Sequence, residues 1–146
     1  MSRFADPNAT EVIDLGPCQC PGTPHEHDEA TVRWDLGASA LARIGRAELE
    51  GAARLDPMAA YRQVVLETVV SWNLLVADEH GSAVSAPITE RTIAELDLPT
   101  LQSLAEGADR LVRERGRLPN ASGAPSPASS RGSASRTRRQ TRMPTT

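Results

Sequence analysis

The stretch Cys18-Gln19-Cys20-Pro21-Gly22-Thr23-Pro24-His25-Glu26-His27-Asp28, followed by Ala30-Thr31-Val32-Arg33-Trp34-Asp35-Leu36, sets the fold of this chain. The second part alternates with period two. Val32, Trp34 and Leu36 share one face, which predicts a half-buried strand over 30–36, closed by Gly37. The first part holds both cysteines and two of the three histidines. In an extended segment, side chains at i and i+2 point the same way. Cys18 and Cys20 can therefore face one point from one arm, and His25 and His27 from the other. Pro21 to Pro24 can reverse the chain between the arms. Two thiolates and two neutral imidazoles match the ligands of a tetrahedral structural Zn²⁺ site and neutralise the ion. The expected metal set is Cys18, Cys20, His25 and His27. The four-residue spacer between the pairs is shorter than in usual zinc modules. Asp28 is the alternative fourth ligand, and His80 could arrive from a later turn. A nucleophilic pair of Cys20 with His25 or His27 is the enzymatic alternative. Such pairs normally converge from distant parts of a fold, whereas this one lies on a Pro/Gly loop. A structural role and no enzymatic activity are expected.

Working outward, Glu11-Val12-Ile13-Asp14-Leu15-Gly16 reads as a short strand running into the Cys/His loop. Ser39 to Leu55 has helical composition but a poor apolar stripe. Asp56-Pro57 reads as an acidic N-cap followed by proline at the first helical position, opening a helix to about Val70. The β-branched run Val64 to Val70 also suits a strand in part. Ser71 to Val76 reads as a strand, Asp78-Glu79-His80-Gly81 as a turn and Ser82-Ala83-Val84 as the returning strand. Thr89 can cap a short helix carrying Ile93 and Leu96, and Leu98-Pro99 breaks or restarts it. Leu101, Leu104, Ala105, Ala108, Leu111 and Val112 then mark one face of a final helix. Trp34 and Trp72 each sit in a strand pattern and are expected in the core.

The chain has 146 residues, with 16 Arg, no Lys and 19 acids. Hydrophobic residues make up 39%, but 21 of the residues are Ala and only four are aromatic. A small core of that kind benefits from a metal staple. No apolar run is long enough to span a membrane, and the opening residues lack the apolar region of a secretory signal. Residues 1–118 carry a net −8, and residues 119–146 carry five Arg and no acid. An acidic body is a poor nucleic-acid binder, and the tail lacks the apolar residues needed to fold. The expected architecture is an α+β domain over 11–118, with a few short strands around the Cys/His loop and three or four helices. Residues 1–10 are expected to be flexible, and the Arg/Ser/Pro-rich tail 119–146 disordered.

Leu15 to Leu36, with Cys18, Cys20, Gly22, Pro24-His25 and Asp28 ahead of a strand, resembles small tail proteins of siphophages that infect actinobacteria. The segment from Trp72-Asn73-Leu74 to Glu95 is similar to tail assembly chaperones encoded near the tape-measure gene. The resemblance implies a non-enzymatic assembly protein of the host cytoplasm, or a component of the virion tail. Its partners would be the tape-measure or tail-tube proteins, with possible self-association and neither nucleic acid nor membrane. A chaperone of this kind needs an apolar face, which the final helix would offer. It is also mainly helical and needs no metal, so the Cys/His loop fits equally a zinc-stabilised tail or head–tail component. An interaction module touching protein or nucleic acid is the remaining alternative.

Overall fold

The structure, a computed structural model, describes residues 2–116; the tail expected over 119–146 lies outside them. Strand β1 (Thr10–Pro17) and strand β2 (His27–Arg33) form an antiparallel hairpin. Helices α1 (Ala38–Ala53) and α2 (Ala59–Thr68) follow, and then strand β3 (Val69–Trp72). Strands β4 (Leu75–Ala77) and β5 (Ala83–Ser85) make a separate two-stranded ribbon. Helices α3 (Glu90–Ala94) and α4 (Leu98–Arg115) complete the described domain. The fold is α+β, with antiparallel strands and a helical layer. The main sheet has the order β1-β2-β3, so β2 is its central strand.

The core forms between one face of that sheet and the helices. Ala30 and Val32 of β2 meet Val64 and Val65 of α2, Ile93 of α3, and the α4 stripe. All six residues of that stripe, Leu101, Leu104, Ala105, Ala108, Leu111 and Val112, are buried. The face suggested for binding a tape-measure protein is thus committed to the protein's own interior. Trp34 and Trp72 are partly buried and pack against the same core.

Strand β2 begins three residues earlier than the alternation around Val32 suggests and ends before Trp34. Its inward parity is nevertheless the expected one, with Asp28, Ala30 and Val32 all buried. Ahead of β1, Ala9 is buried and its carbonyl accepts the Trp34 N–H. The Asp6 N–H donates to Asp35 Oδ2. Within the segment expected to be flexible, Asp6 and Ala9 are therefore bonded to the residues that follow β2.

Helix α2 starts at Ala59 rather than at Pro57. Asp56 does act locally, accepting the Met58 N–H, but it shapes the turn before the helix. The helix then passes into β3 without a loop, since Val69 is already extended. Competing tendencies in the β-branched run explain this. Val64 and Val65 are buried within the helix, and Val69 and Val70 belong to the sheet. The buried Thr68 hydroxyl at the junction is satisfied by Val64 O.

The single strand expected over 71–76 is two strands separated at Asn73. The Asn73 amide and side chain are pinned to β2: Asn73 N donates to Glu29 O, Asn73 Oδ1 accepts from Glu29 N, and Nδ2 donates to His27 O. This anchor ends β3 and redirects the chain into the β4–β5 ribbon. Thr89 caps α3 in a reciprocal arrangement with Thr92. Asp97 caps α4 by accepting the Thr100 N–H, with Pro99 in the first turn.

Two glycines on α1 have opposite surroundings. A Cβ on Gly51 would lie 2.7 Å from both Ala59 Cβ and the Asp56 carbonyl oxygen, whereas one on Gly45 meets open space. Gly51→Ala should destabilise by about 1–3 kcal/mol through overpacking, and Gly45→Ala should stabilise by about 0.5–1 kcal/mol. Denaturant melts of the two variants check the contrast; equal effects would mean the α1–α2 contact is not this close.

Glu67 binds Arg43 through two hydrogen bonds, 2.6 Å to Nε and 2.8 Å to Nη2, joining α2 to α1. The Arg43 guanidinium holds the Glu67 carboxyl below its ordinary value, against a smaller opposing effect of burial. A depressed folded-state value means the pair's contribution is present above the unfolded value and lost as pH falls through the folded one. Glu67→Gln should cost about 1 kcal/mol at neutral pH. Its stability should also fall less steeply than wild type below about pH 4.5, which chemical melts across pH would read.

Candidate metal centre

The β1–β2 connection brings four chemically distinct side chains together. After β1 the chain leaves the sheet at Cys18, whose N–H donates to Glu26 O and so holds the loop closed at its base. Pro21 and Gly22 occupy the centre of a tight turn, with the Thr23 N–H bonded to Cys20 O and Gly22 at φ +78°. This is the pattern of a type II turn, with Pro and then Gly at the central positions. The turn folds His25 back onto Cys20. The ligand atoms of Cys18, Cys20, His25 and Asp28 all lie within 4.8 Å of one another, and the group could hold a metal ion.

His25 Nε2 lies 2.6 Å from Asp28 Oδ1 and 3.6 Å from Cys20 Sγ. Cys20 Sγ lies 3.3 Å from Asp28 Oδ1. A tetrahedral zinc ion with bonds of about 2.0–2.3 Å keeps its ligand atoms roughly 3.3–3.8 Å apart. The two separations to Cys20 Sγ fall in that range, and the His25–Asp28 contact would open by about 1 Å as the ion replaces the shared proton.

Three backbone amides point at ligand atoms. Gln19 N donates to Asp28 Oδ2 at 2.9 Å, Cys20 N to Cys18 Sγ at 3.4 Å, and Leu75 N to Cys20 Sγ at 3.3 Å. Donors of this kind orient metal ligands and stabilise negative charge on sulfur. Two thiolates and one carboxylate around a divalent ion leave one net negative charge, which these amides offset in part.

In the metal-free protein, burial pushes the Cys20 thiol up to about 11, and its hydrogen bond to Asp28 adds to the shift. Cys20 is thus a neutral thiol near pH 7 and a weak nucleophile, since the thiolate is the reactive form. Burial also pushes the Asp28 carboxyl up, but hydrogen bonds from Gln19 N–H, His25, Cys20 and Cys18 outweigh it and the net shift is downward. Asp28 is therefore the ready anion of the group.

The structure separates His27 from the set that the sequence suggests, and Asp28 takes the fourth place. His27 is the first residue of β2 and Asp28 the second, so they face opposite sides of the sheet. The i, i+2 relation between His25 and His27 does not apply because the strand starts only at His27. His27 Nδ1 instead meets Asp14 Oδ1 at 2.9 Å on the exposed face. The Asp14 carboxylate raises the His27 imidazole above its ordinary value, and His27 in turn lowers Asp14. His80 is exposed on the β4–β5 turn, its ring 3.7 Å from Glu79 and its backbone N–H bonded to Asp78, and it is not part of the cluster. Sequence reasoning missed Asn73 and the Leu75 amide, which bring the start of β4 against the cluster. An asparagine inside an otherwise apolar run is the one signal that could have pointed there, since Asn is disfavoured in strands.

Asp28→Asn keeps an oxygen acceptor for the Gln19 amide but removes the anionic ligand. Its affinity for zinc or cobalt should fall on the order of 100-fold or more, with the folded state retained. His27→Ala should keep wild-type metal stoichiometry. Native mass spectrometry and cobalt absorption read both; retention in Asp28→Asn with loss in His27→Ala would reverse the assignment.

Comparison of the chain with protein-family models, with curated proteins and with solved structures finds no match.

Proposed function

We propose that the protein is a non-enzymatic assembly component whose first hairpin is closed by a structural zinc ion on Cys18, Cys20, His25 and Asp28. The observation that carries this reading is the set of amide donors aimed at the ligand atoms. A nucleophilic cysteine needs a depressed pKa and an oriented base; here burial raises the thiol, and the adjacent imidazole is turned to a carboxylate. Two sulfurs, an imidazole and a carboxylate suit zinc among common divalent ions. The ion would join the loop to the start of β2 and, through Cys20 and Leu75, to the start of β4. It would thus tie together segments far apart in sequence.

The resemblance of 15–36 and 72–95 to siphophage tail proteins supports a place in tail assembly. Between chaperone and particle component, burial of the α4 stripe favours the second. A holder of the tape-measure protein would need an exposed apolar helix face, and this one is spent on the core. The acidic body keeps nucleic acid out of the favoured partners.

The experiment has two arms. Native mass spectrometry should find one zinc per chain. Free zinc at about a thousand times its Kd should stabilise the fold by about 4 kcal/mol, a rise in Tm on the order of 15 °C for a domain this size. Cys18→Ser should abolish that rise. Protein without zinc, whose stability is indifferent to chelator, would overturn the staple. For the assembly role, mass spectrometry of purified tails from the virus encoding the gene should find the chain at fixed stoichiometry. Finding it only in complex with free tape-measure protein would restore the chaperone reading, and finding it in neither would remove the tail assignment.

A further inference from the structure

Bordering the metal cluster through Cys20 and Asp28, a cleft of about 240 Å³ opens between the β3–β4 junction and the α3–α4 turn. That volume is below the about 300–1,000 Å³ of pockets for drug-sized ligands, so it suits a side chain rather than a cofactor. Its walls are mixed: Leu15, Trp72, Leu74, Val76 and Leu96 supply the apolar part, and Gln19, Thr92 and Thr100 add neutral polar groups. Every charged residue lining it is an acid: Asp28, Glu95 and Asp97. Asp28 belongs to the metal cluster. Glu95 and Asp97 flank Leu96 at the mouth, are exposed, and have no ion-pair partner among the described residues.

Four other carboxylates of the domain, Glu67, Asp56, Asp109 and Glu11, are each ion-paired with an arginine of the chain itself. Asp97 spends Oδ1 on capping α4, which leaves Oδ2 uncommitted. The apolar surface also continues outward. Val76 and Val84 are register partners in the β4–β5 ribbon, 44% and 41% exposed, and Leu98 is 51% exposed at the start of α4. A two-stranded ribbon has two open edges and little stability of its own, so an exposed valine pair on it is suited to a contact.

We propose that this cleft is a docking site for an arginine or lysine side chain presented by an apolar-flanked peptide segment of a partner protein. The walls accept the aliphatic stem, the Trp72 ring lines its path, and the cationic head reaches Glu95 and Asp97. Flanking apolar residues of the peptide lie against Val76 and Leu98. Charge decides the occupant, because an anionic ligand would meet the exposed Glu95 and Asp97 carboxylates and no basic side chain in the lining. The site goes beyond the zinc and assembly readings and does not need them, since Glu95 and Asp97 stand on the α3–α4 turn rather than on the Cys/His loop.

The test is an NMR titration of the full-length ¹⁵N-labelled protein with the peptide acetyl-Leu-Arg-Leu-amide, with citrulline and glutamate versions as controls. Citrulline preserves the shape of arginine without its charge. The arginine peptide should shift the Trp72 indole N–H and the amides of Leu74 to Val76 and Glu95 to Thr100. The citrulline peptide should bind at least about tenfold more weakly, the weight of one charge-assisted hydrogen bond, and the glutamate peptide should leave these signals unmoved. The double variant Glu95→Gln, Asp97→Asn should lose the same factor at unchanged Tm, since Asn serves as an N-cap as well as Asp. Shifts located elsewhere, equal binding of the citrulline peptide, or binding unaffected in the double variant would overturn the proposal.

Discussion

A carboxylate at the mouth of the core sets the constraint on which the N-terminal half depends. Asp28 sits on the inward face of the central strand, two residues before Ala30 and four before Val32, and is 7% exposed. A buried charge is tolerated only when paired and hydrogen-bonded. The Cys/His loop meets that requirement. The Gln19 amide, the His25 ring and the Cys20 thiol all converge on Asp28, so the loop is organised around this residue. The same convergence gives the group its metal-binding chemistry, because donors gathered to satisfy one carboxylate become a ligand set once their protons leave.

The second arm of the structure reaches this point through Asn73. The α2–β3 unit enters the sheet beside β2, and the Asn73 side chain then bonds to both Glu29 and His27. These contacts stop β3 and direct the Leu75 amide onto Cys20 Sγ, 55 residues away in sequence. A tie of that span closes a long loop, for which a crosslink gains more than it does in a short one. A metal at Cys20 would thus act on the β3–β4 junction and on the cleft beside it, and not on the hairpin loop alone.

Much of this was legible in the sequence, and the reason is periodicity. The α4 stripe, the Thr89 cap and the parity of β2 follow from spacing and from capping chemistry that depend on few neighbours. The boundary errors have a common physical origin. At Val64 to Val70 and at Ser71 to Val76, local propensity is evenly balanced, and tertiary partners choose. Sheet pairing of Val69 with Val32 claims one end of the first run, and the Asn73 clamp cuts the second. Backbone donors such as Gln19 and Leu75 leave no trace in composition, so the amide half of the site could not be read.

The exchange of His27 for Asp28 shows how one register decision propagates into chemistry. The inward residues Val32, Trp34 and Leu36 have even numbers, and extending the same strand backward places Ala30 and Asp28 inward and His27 outward. A strand beginning at 30 carries no such parity back to His27, and the i, i+2 geometry of the two histidines then stands alone. Because strand side chains alternate with period two, a residue adjacent to an inward one cannot share its face without a bulge. The bulge here lies on the other strand, between Asp14 and Gly16. It leaves the parity of β2 intact, and the Asp14 carboxylate meets the outward His27 across the pair. The hairpin thus has two sides with different chemistry: an exposed His–Asp pair outside and a sulfur, imidazole and carboxylate cluster inside, separated by a single residue of sequence.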